Sequence, residues 1–328
     1  MKTTTRVLTI TPNPAIDQTL EIAGFAAGKV NRVLTSRMDA GGKGINVASI
    51  LGDLNVPTVV TGFLGEQNAG LFEKHFAAKG LEDRFVRVPG ANRIGIKVVN
   101  TENRETTDIN FPGLNLSEAS LAQLMRTVDE LIVDGTWCAL SGSLPAGLNP
   151  DFYARLIERI HSLGGRVLLD TSGEPLRQAV AALPDILKPN LAELEELFGE
   201  KVSTTQQVLD AADRLRGDGD ALVVVSMGAE GALFANRETA LQARPPRVHV
   251  YSTVGAGDAM VAGIVWAQLQ GLNLEQTARL ATALGAHAVT RCGAGVDINK
   301  VRALMNQVSV ETITGESSGE PVAAEQGV

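Results

Sequence analysis

The segment Ser252-Thr253-Val254-Gly255-Ala256-Gly257-Asp258 leads directly into an apolar stretch with helical spacing, Ala259–Leu269. Small residues before a helix let backbone N–H groups approach an anion, and the helix dipole favours negative charge at that end. Asp258 lies at the predicted helix start, where a carboxylate can accept a proton from an attacking hydroxyl. The segment predicts one half of a phosphoryl-transfer site. Alone, it also fits a Gly-rich turn in which Asp258 is an ordinary N-cap.

A second glycine-rich segment lies far upstream, Gly41-Gly42-Lys43-Gly44-Ile45-Asn46-Val47-Ala48. Lys43 brings a mobile cation to the start of a predicted helix, and the Asn46 amide can both donate and accept hydrogen bonds with sugar hydroxyls. The segment is not a Walker A loop, since the pattern GxxxxGK[ST] is absent. It predicts either an anion or hydroxyl site or simply a Gly-rich helix start.

The overall composition is that of a globular, acidic protein. Of the 328 residues, 44% are hydrophobic and 20% are charged, which excludes a disordered chain and allows either one large α/β domain or two domains. The formal net charge of -8 argues against nucleic acid or an anionic membrane as the main partner. An anionic substrate would therefore need a local cluster of cationic side chains.

The sequence carries no pattern for a disulfide framework, a metal cluster or secretion. Cys138 and Cys292 are far apart, and the four histidines have no ligand spacing. The N-terminal residues contain no signal-peptide apolar region. No apolar run approaches the length of a membrane span, about 18 residues. We therefore expect a cytoplasmic protein that binds neither nucleic acid nor membrane.

Short β-rich runs alternate with longer helical patterns along most of the chain. The predicted strands are Val7–Ile10, Thr58–Phe63, Cys138–Ser141, Arg166–Asp170, Asp185–Lys188 and Ala221–Ser226. The predicted helices are Lys43–Leu54, Ser117–Val133, Pro150–Leu163, Thr204–Arg216, Gly257–Leu269 and Leu274–Val289. This alternation predicts βαβ units around a mostly parallel sheet, with ligands bound at the carboxyl ends of the strands.

Two stretches interrupt the alternation, Asp17–Leu34 and Arg93–Phe111. Both are strand-like and rich in turns, with a hairpin turn at Asn100–Arg104. They predict a small antiparallel sheet beside the α/β body, either a lid that excludes water or a plain edge hairpin. The polar, acidic residues 311–328 predict a disordered tail, which leaves residues 1–310 as the folded domain.

The two glycine-rich segments and three motifs between them resemble, in order, the signatures of the ribokinase-like (PfkB) sugar-kinase family. The resemblance extends from Val7 to Met305. It implies a three-layer α/β/α body with a mostly parallel sheet and a small β-sheet lid, with ATP as co-substrate and Mg²⁺ as cofactor. The motifs between the glycine-rich segments are Ser141-Gly142-Ser143-Leu144-Pro145, Lys188-Pro189-Asn190-Leu191-Ala192-Glu193 and Ser226-Met227-Gly228-Ala229-Glu230-Gly231.

The resemblance implies a role for each motif. Asp258 would be the catalytic base, and the N–H groups of Gly255, Ala256 and Gly257 would bind the transferred phosphoryl group. Glu193 would order Mg²⁺ through water. The residues implied to contact ATP are Lys188, Asn190, Ser226, Gly228, Gly231, Val254, Gly255 and Gly257.

Two of these motifs also have sufficient structural explanations. Asn190 followed by Glu193 has the pattern of a helix capping box. Gly228 and Gly231 suit a tight β-turn between two strands.

The acceptor is predicted to be a sugar phosphate, because the predicted lid carries basic residues in an otherwise acidic protein. A phosphate needs cationic partners, whereas a neutral sugar needs only hydroxyl partners. Lys43 and Arg93 are the main candidates for the phosphate, with Lys29 and Arg104 beside them. The sugar hydroxyls would contact residues that the resemblance implies: Asp17, Gly41, Gly42, Asn46 and Ser141.

Three stretches are most similar to the 1-phosphofructokinase branch of the family: Arg93–Lys97, Thr107–Phe111 and Ser252–Asp258. That branch implies phosphoryl transfer from ATP to fructose 1-phosphate, giving fructose 1,6-bisphosphate and ADP. The alternatives are a tagatose-6-phosphate kinase, a 6-phosphofructokinase, a kinase for a neutral sugar or a non-catalytic sugar-phosphate sensor. Ser252 stands where the broader family has Asp, which puts a monovalent-cation site in doubt. Lids in the family often pair, which implies a homodimer.

Overall fold

The body is built on a large sheet. The computed structural model describes residues 7–103, 105–291 and 295–313. The strands of the main sheet are β1 (Val7–Thr11), β4 (Thr58–Gly65), β5 (Glu82–Asp83), β6 (Val86–Val88), β9 (Trp137–Ser141), β10 (Arg166–Asp170), β11 (Ile186–Leu187), β12 (Leu222–Ser226), β13 (Ala232–Ala235), β14 (Ala240–Arg244) and β15 (Ser309–Thr312).

These strands lie in the order β15-β14-β13-β12-β11-β10-β9-β1-β4-β5, with β6 paired to β4. The pairs from β12 to β5 are parallel, whereas the pairs from β12 to β15 are antiparallel. The prediction of a mostly parallel sheet is therefore confirmed.

Helices cover both faces of this sheet. They are α1 (Lys43–Asp53), α2 (Gly70–Lys79), α3 (Glu118–Leu131), α4 (Phe152–Ser162), α5 (Gly173–Ala179), α6 (Leu191–Phe198), α7 (Thr205–Arg216), α8 (Ala256–Leu269), α9 (Leu274–Val289) and α10 (Ile298–Met305). Every predicted helix is present. The capping box at Asn190 predicted only the start of α6, and α2, α5 and α10 were not predicted.

The alternation of side chains along the central strands divides the core between the two faces. In β1, Leu8 and Ile10 belong to the core on the side of α3, α4 and α7, whereas Val7 belongs to the core on the side of α1, α8 and α9. All of these side chains are fully buried. Because the strands are buried on both faces, they read as continuous apolar runs in the sequence. The structure is the expected three-layer α/β/α body.

The register of the parallel strands aligns polar residues at their carboxyl ends. Ser141 of β9 is paired with Asp170 of β10. The pairing of Leu169 with Leu187 places Lys188 next to Asp170, one residue beyond β11. The carboxyl edge of the sheet therefore brings an anion and a cation together from neighbouring strands, as expected for ligand sites in such sheets.

A second, four-stranded sheet corresponds to the predicted lid. Its strands are β2 (Ala15–Ile22), β3 (Val33–Gly41), β7 (Arg93–Asn100) and β8 (Thr106–Asn110), in the order β3-β2-β7-β8. The prediction of an antiparallel sheet was wrong for its central pair, because β2 and β7 run parallel. The predicted boundary at Leu34 also stops short of most of β3. We call this four-stranded sheet the lid.

The C-terminal part of the described chain extends past the predicted domain boundary at residue 310. Strand β15 includes Glu311 and Thr312, which pair with Gln242 and Leu241 of β14. The rest of the predicted disordered tail, residues 314–328, lies outside the described residues. Among the residues that the structure describes, no helix has the length and apolar character needed to span a membrane.

Candidate active site

Helix α8 begins at the predicted glycine-rich segment. Gly255 precedes the helix with a φ of 84°, a left-handed conformation that favours glycine. Within the described chain, the N–H groups of Gly255 and Gly257 have no hydrogen-bond acceptor, whereas that of Ala256 donates to the Thr253 carbonyl at 3.3 Å. Free donors at the positive end of a helix dipole form an anion site.

Asp258 lies in the first turn of α8 and contacts the second glycine-rich segment. Its side chain is buried, with the residue 6% exposed. The amide Nδ2 of Asn46 on α1 donates to Asp258 Oδ2 at 2.7 Å. The other carboxylate oxygen, Oδ1, accepts no hydrogen bond from the residues described, so it is available to a ligand hydroxyl. The two sequence segments thus form one site.

The environment of Asp258 makes it a stronger base than an ordinary aspartate. Burial and, to a smaller extent, the nearby Asp170 carboxylate raise the pKa of the carboxyl from its ordinary 3.8 to about 6. The Asn46 hydrogen bond and the ammonium groups of Lys43 and Lys188 act in the opposite direction on this pKa. Because a general base works best with a pKa near the working pH, the environment suits Asp258 to proton abstraction.

Asp170 is a central site residue that we did not predict. Its Oδ1 atom lies 3.2 Å from Lys43 Nζ and 3.2 Å from Lys188 Nζ, and the residue is 1% exposed. Although burial raises the pKa of this carboxyl, the two ammonium groups lower it below its ordinary value. The sequence signal was its position as the last residue of a predicted strand.

The two lysines carry positive charge to the start of α8. Although burial lowers the pKa of the Lys43 ammonium, the carboxylates of Asp170, Glu193 and Asp258 raise it above its ordinary value. Lys188 Nζ lies 3.5 Å from the position that a Cβ on Gly257 would occupy. Because Gly257 has no side chain, the Lys188 ammonium group can lie close to the N-terminus of α8.

The capping-box interpretation of Asn190 and Glu193 is confirmed. Asn190 Oδ1 accepts from the Glu193 N–H at 2.8 Å, and Glu193 Oε2 accepts from the Asn190 N–H at 2.9 Å. The remaining oxygen, Oε1, lies 3.9 Å from Lys43 Nζ. Because capping uses Oε2, the other Glu193 oxygen, Oε1, still faces the site.

A cleft opens between the lid and the carboxyl edge of the main sheet. Gly42 reaches it with a φ of 121°, and a Cβ there would lie 3.0 Å from Thr11. Only glycine suits this conformation and this space. The cleft is lined by Thr11, Asn13, Gly42, Lys43, Arg93, Gly142, Ser143, Thr171, Ser172 and Glu193.

Arg93 is the cation that the lid contributes to this cleft. Its Nε donates to the Asn13 carbonyl at 3.4 Å, and its Nη1 approaches Asn110 Oδ1 at 3.5 Å. Burial lowers the pKa of the guanidinium, and Asp17 partly opposes that shift. Arg93 forms no ion pair within the described part of the chain, so its charge is available to an anion.

Asp17 lies on the lid, packed against two glycines. A Cβ on Gly41 would lie 2.6 Å from the Asp17 carboxylate, and one on Gly95 would lie 3.1 Å from it. Lys97 Nζ is 3.2 Å from Asp17 Oδ2. The Asp17 carboxylate occupies the space that a side chain at position 41 would need. This explains why the upstream glycine-rich segment begins with Gly41.

The predicted site residues Ser141 and Lys29 do not line the cleft. Ser141 is fully buried in β9, and Ser143, which we did not select, lines the cleft instead. Lys29 is exposed and is absent from the cleft lining, and Arg104 lies outside the described residues. Lys43 lines the same cleft as Arg93 and is paired there with Asp170 and Glu193.

The predicted nucleotide residues follow β11 and β12. Asn190 forms a bridge to Ser226, and the Ser226 N–H donates to the Pro189 carbonyl at 3.0 Å. Gly228 and Gly231 form the turn between β12 and β13, as the structural interpretation of this motif predicted. Val254 is half exposed beside the start of α8.

We predict that Asp258→Asn stabilises the fold. The folded-state pKa of about 6 exceeds the ordinary 3.8, so the stability that this group contributes is present below 3.8 and is lost as pH rises through 6. Asn keeps an acceptor for Asn46 but cannot ionise. Urea unfolding should show a gain of about 3 kcal/mol at pH 8 and roughly half of that at pH 5.

The exposed carboxylate of Asp218 offers a matched control, since Asp218→Asn removes one negative charge far from the site. That variant should leave stability unchanged at both pH values. If Asp258→Asn were no more stable than wild type at pH 8, the buried carboxylate would not carry the cost that we assign to it.

Comparisons with known proteins agree with this geometry. The sequence profile of the pfkB family of carbohydrate kinases matches residues 8–301. A 1-phosphofructokinase from Rhodobacter capsulatus is 46% identical over 312 residues, which cover 94% of this chain and 99% of that protein. One from Xanthomonas campestris is 47% identical over 283 residues, which cover 85% and 89%. The crystal structure of phosphofructokinase-2 from Escherichia coli with fructose-6-phosphate has a TM-score of 0.86 at 28% identity, covering 92% of this chain and 99% of that chain. The chain belongs to the pfkB family of carbohydrate kinases.

Proposed function

We propose that this protein is an ATP-dependent 1-phosphofructokinase, which phosphorylates the C6 hydroxyl of fructose 1-phosphate. The observation that carries the proposal is the contact between Asp258 and Asn46, 212 residues apart in sequence, at the start of α8. A buried base held by an amide, next to peptide N–H donors and cations, has the parts that phosphoryl transfer needs. The relatives named 1-phosphofructokinase support this acceptor.

Arg93 is the best candidate for the phosphate that the acceptor already carries. It lines the cleft and has no carboxylate partner among the residues described, in contrast to Lys43. Asn13 and Ser143 line the same cleft, and their side chains are 3.3 Å apart. The sugar hydroxyls lie between Arg93 and the start of α8, against Asp17, Gly42 and Asn46.

In the transfer step, Asp258 takes the proton from the C6 hydroxyl. The resulting oxygen attacks the γ-phosphorus of ATP, the bond from that phosphorus to the β–γ bridging oxygen breaks, and ADP leaves. The N–H groups of Gly255 and Gly257 hold the phosphoryl oxygens, and Lys43 and Lys188 stabilise the negative charge on them. Lid closure excludes water, which would otherwise compete with the sugar.

The residues present fit a Mg²⁺ ion carried by the ATP phosphates. Asp170 Oδ2 is buried and has no hydrogen-bond partner within the described chain, and Glu193 offers its Oε1. No group of three or more His, Cys, Asp or Glu residues in that part of the chain forms a metal cage. Mg²⁺ typically keeps several waters and binds few carboxylates, so Asp170 and Glu193 would hold it through water. Held there, the ion would supply positive charge that offsets the charge of the phosphates.

Initial rates of ADP release with Mg-ATP test this function directly. The acceptors compared would be fructose 1-phosphate, fructose 6-phosphate, tagatose 6-phosphate, fructose and ribose. We expect the three sugar phosphates to exceed fructose and ribose, because Arg93 supplies a cation for a phosphate. Among them we expect the highest kcat/KM for fructose 1-phosphate, the acceptor that the relatives named 1-phosphofructokinase support. A higher kcat/KM for a neutral sugar would refute the role of Arg93, and the absence of turnover with every acceptor would favour a sugar-phosphate sensor.

Asp258→Asn should lower kcat by several orders of magnitude, because the base is lost while the peptide donors and cations remain. In wild type, kcat/KM for the sugar should rise with pH through about 6, since only the ionised carboxylate accepts a proton. Stopped assays from pH 5 to 8 and calorimetric titration with Mg-ATP measure both effects. A loss of ATP binding equal to the loss of turnover would contradict the role of Asp258 as base.

The outer face of the lid supports a homodimer in which two lids pair. Met38, Gln18, Ile96 and Ile109 are successive partners across the sheet, so they share one face. Met38 is 53% exposed and Ile109 is 46% exposed. Asp17 lies in the neighbouring row and faces the opposite way. An apolar outer face on a sheet with a polar inner face fits a second copy of the chain.

Ile109→Asp should therefore convert the dimer to monomers, because it places a charge on that apolar face. Light scattering coupled to size-exclusion chromatography measures the molar mass. Thr106→Asp, on the opposite face of the same strand, is the matched control and should leave the dimer intact. A wild-type protein of monomer mass would refute the pairing of lids.

A further inference from the structure

The carbonyl of Gly142 receives two side-chain hydrogen bonds at the wall of the cleft. The Tyr153 hydroxyl on α4 donates to it at 2.8 Å, and the Thr171 hydroxyl donates to it at 2.9 Å. A carbonyl oxygen has two lone pairs, so both are used. In addition, the Gly142 N–H donates to the Asp170 carbonyl at 3.0 Å. The peptide groups on both sides of Gly142 are thereby held in place.

This arrangement fixes the direction of the next peptide N–H. In a trans peptide the N–H of Ser143 points opposite to the carbonyl of Gly142. It therefore points away from Tyr153 and Thr171. Ser143 lines the cleft, and its N–H has no acceptor among the residues that the structure describes. An unpaired donor with a fixed direction is suited to an anionic or hydroxyl-bearing ligand.

Tyr153 itself cannot touch a ligand. It is fully buried and is absent from the cleft lining. Burial raises the pKa of its hydroxyl well above the ordinary value, so the group remains a donor throughout the working pH range. A core residue of this size needs no hydroxyl for packing alone, and phenylalanine would fill nearly the same volume. The hydroxyl is therefore explained by its bond to Gly142.

We propose, resting on the sugar-phosphate kinase activity proposed above, that Tyr153 and Thr171 are positioning residues for the acceptor. Because their two hydroxyls both donate to the Gly142 carbonyl, they direct the Ser143 N–H toward the sugar phosphate. They act on the part of the cleft wall where Ser143 contacts Asn13, whereas ATP is held at α8 and after β11. Their removal affects the affinity for the sugar phosphate and leaves the affinity for ATP unchanged.

The test compares Tyr153→Phe, Thr171→Val and the double variant with wild type, using the acceptor with the highest kcat/KM. Each single variant should raise KM for the sugar phosphate by about five-fold, since one hydrogen bond is lost. The double variant should raise it by more than the product, because either hydroxyl alone still holds the carbonyl in part. KM for Mg-ATP should change by less than about two-fold in all of them.

Two controls separate positioning from general damage to the fold. Thr171→Ser keeps the hydroxyl and should retain the wild-type KM. Thr127→Val removes another buried threonine hydroxyl, one that donates to the Gln123 carbonyl within α3, and should change neither KM. If Tyr153→Phe fails to fold, the comparison of Thr171→Val with Thr171→Ser tests the same carbonyl.

The outcomes also separate this role from the proposed reaction. If wild type shows no turnover, calorimetric dissociation constants for fructose 1-phosphate replace KM, and a five-fold weakening in the variants would still support positioning. A double variant within about two-fold of wild type, or equal increases in both KM values, would overturn it.

Discussion

A single buried carboxylate, Asp170, holds two ammonium groups that come from different parts of the chain. Lys43 begins α1, Lys188 follows β11, and Asp170 ends β10. A buried pair of this kind contributes little net stability, because removing charges from water costs about as much as their attraction returns. Removing Asp170 would nevertheless leave the buried Lys188 ammonium beside that of Lys43 with no carboxylate between them. The position of both lysines, and with it the charge at the start of α8, depends on this contact.

The parts of the site that the sequence predicts are those with a local cause. Gly255 and Gly42 mark positions where the backbone needs glycine, and Asp258 and Asn46 each lie in the first turns of a strongly apolar helix. The contact between them follows once both helices pack against the same sheet face. Asp170 had no local signal beyond a strand end, because its importance comes from the register of β10 with β11. Such a register is a long-range property that no short motif contains.

The lid shows the same limit. The nine residues of β3 mix apolar, polar and charged side chains, and most of them are exposed, so no continuous apolar run marks the strand. The parallel pairing of β2 with β7 joins segments that are distant in sequence and was not predictable from turn residues. We predicted Ser141 at the cleft, but Ser143 lines it. Only the observed end of β9 shows which of the two serines lies beyond the sheet. Motifs thus identified the segments, and tertiary packing decided which atoms face the cleft.

The parallel pairing within the lid also sets how that sheet can move. Strands β2, β3 and β7 meet the body at one end of the lid, in the row of Ala15, Gly41 and Arg93 and in the next row, where Ile16 and Ala40 are buried. A sheet that is attached at one end rotates about that end as a rigid body. The displacement of each residue grows with its distance from the attached end. Arg93 lies at the pivot, whereas Asp17 lies two residues outward on β2. A swing would therefore carry the carboxylate through a longer arc than the guanidinium, so the grip on phosphate stays nearly constant while contact with the sugar hydroxyls opens and closes.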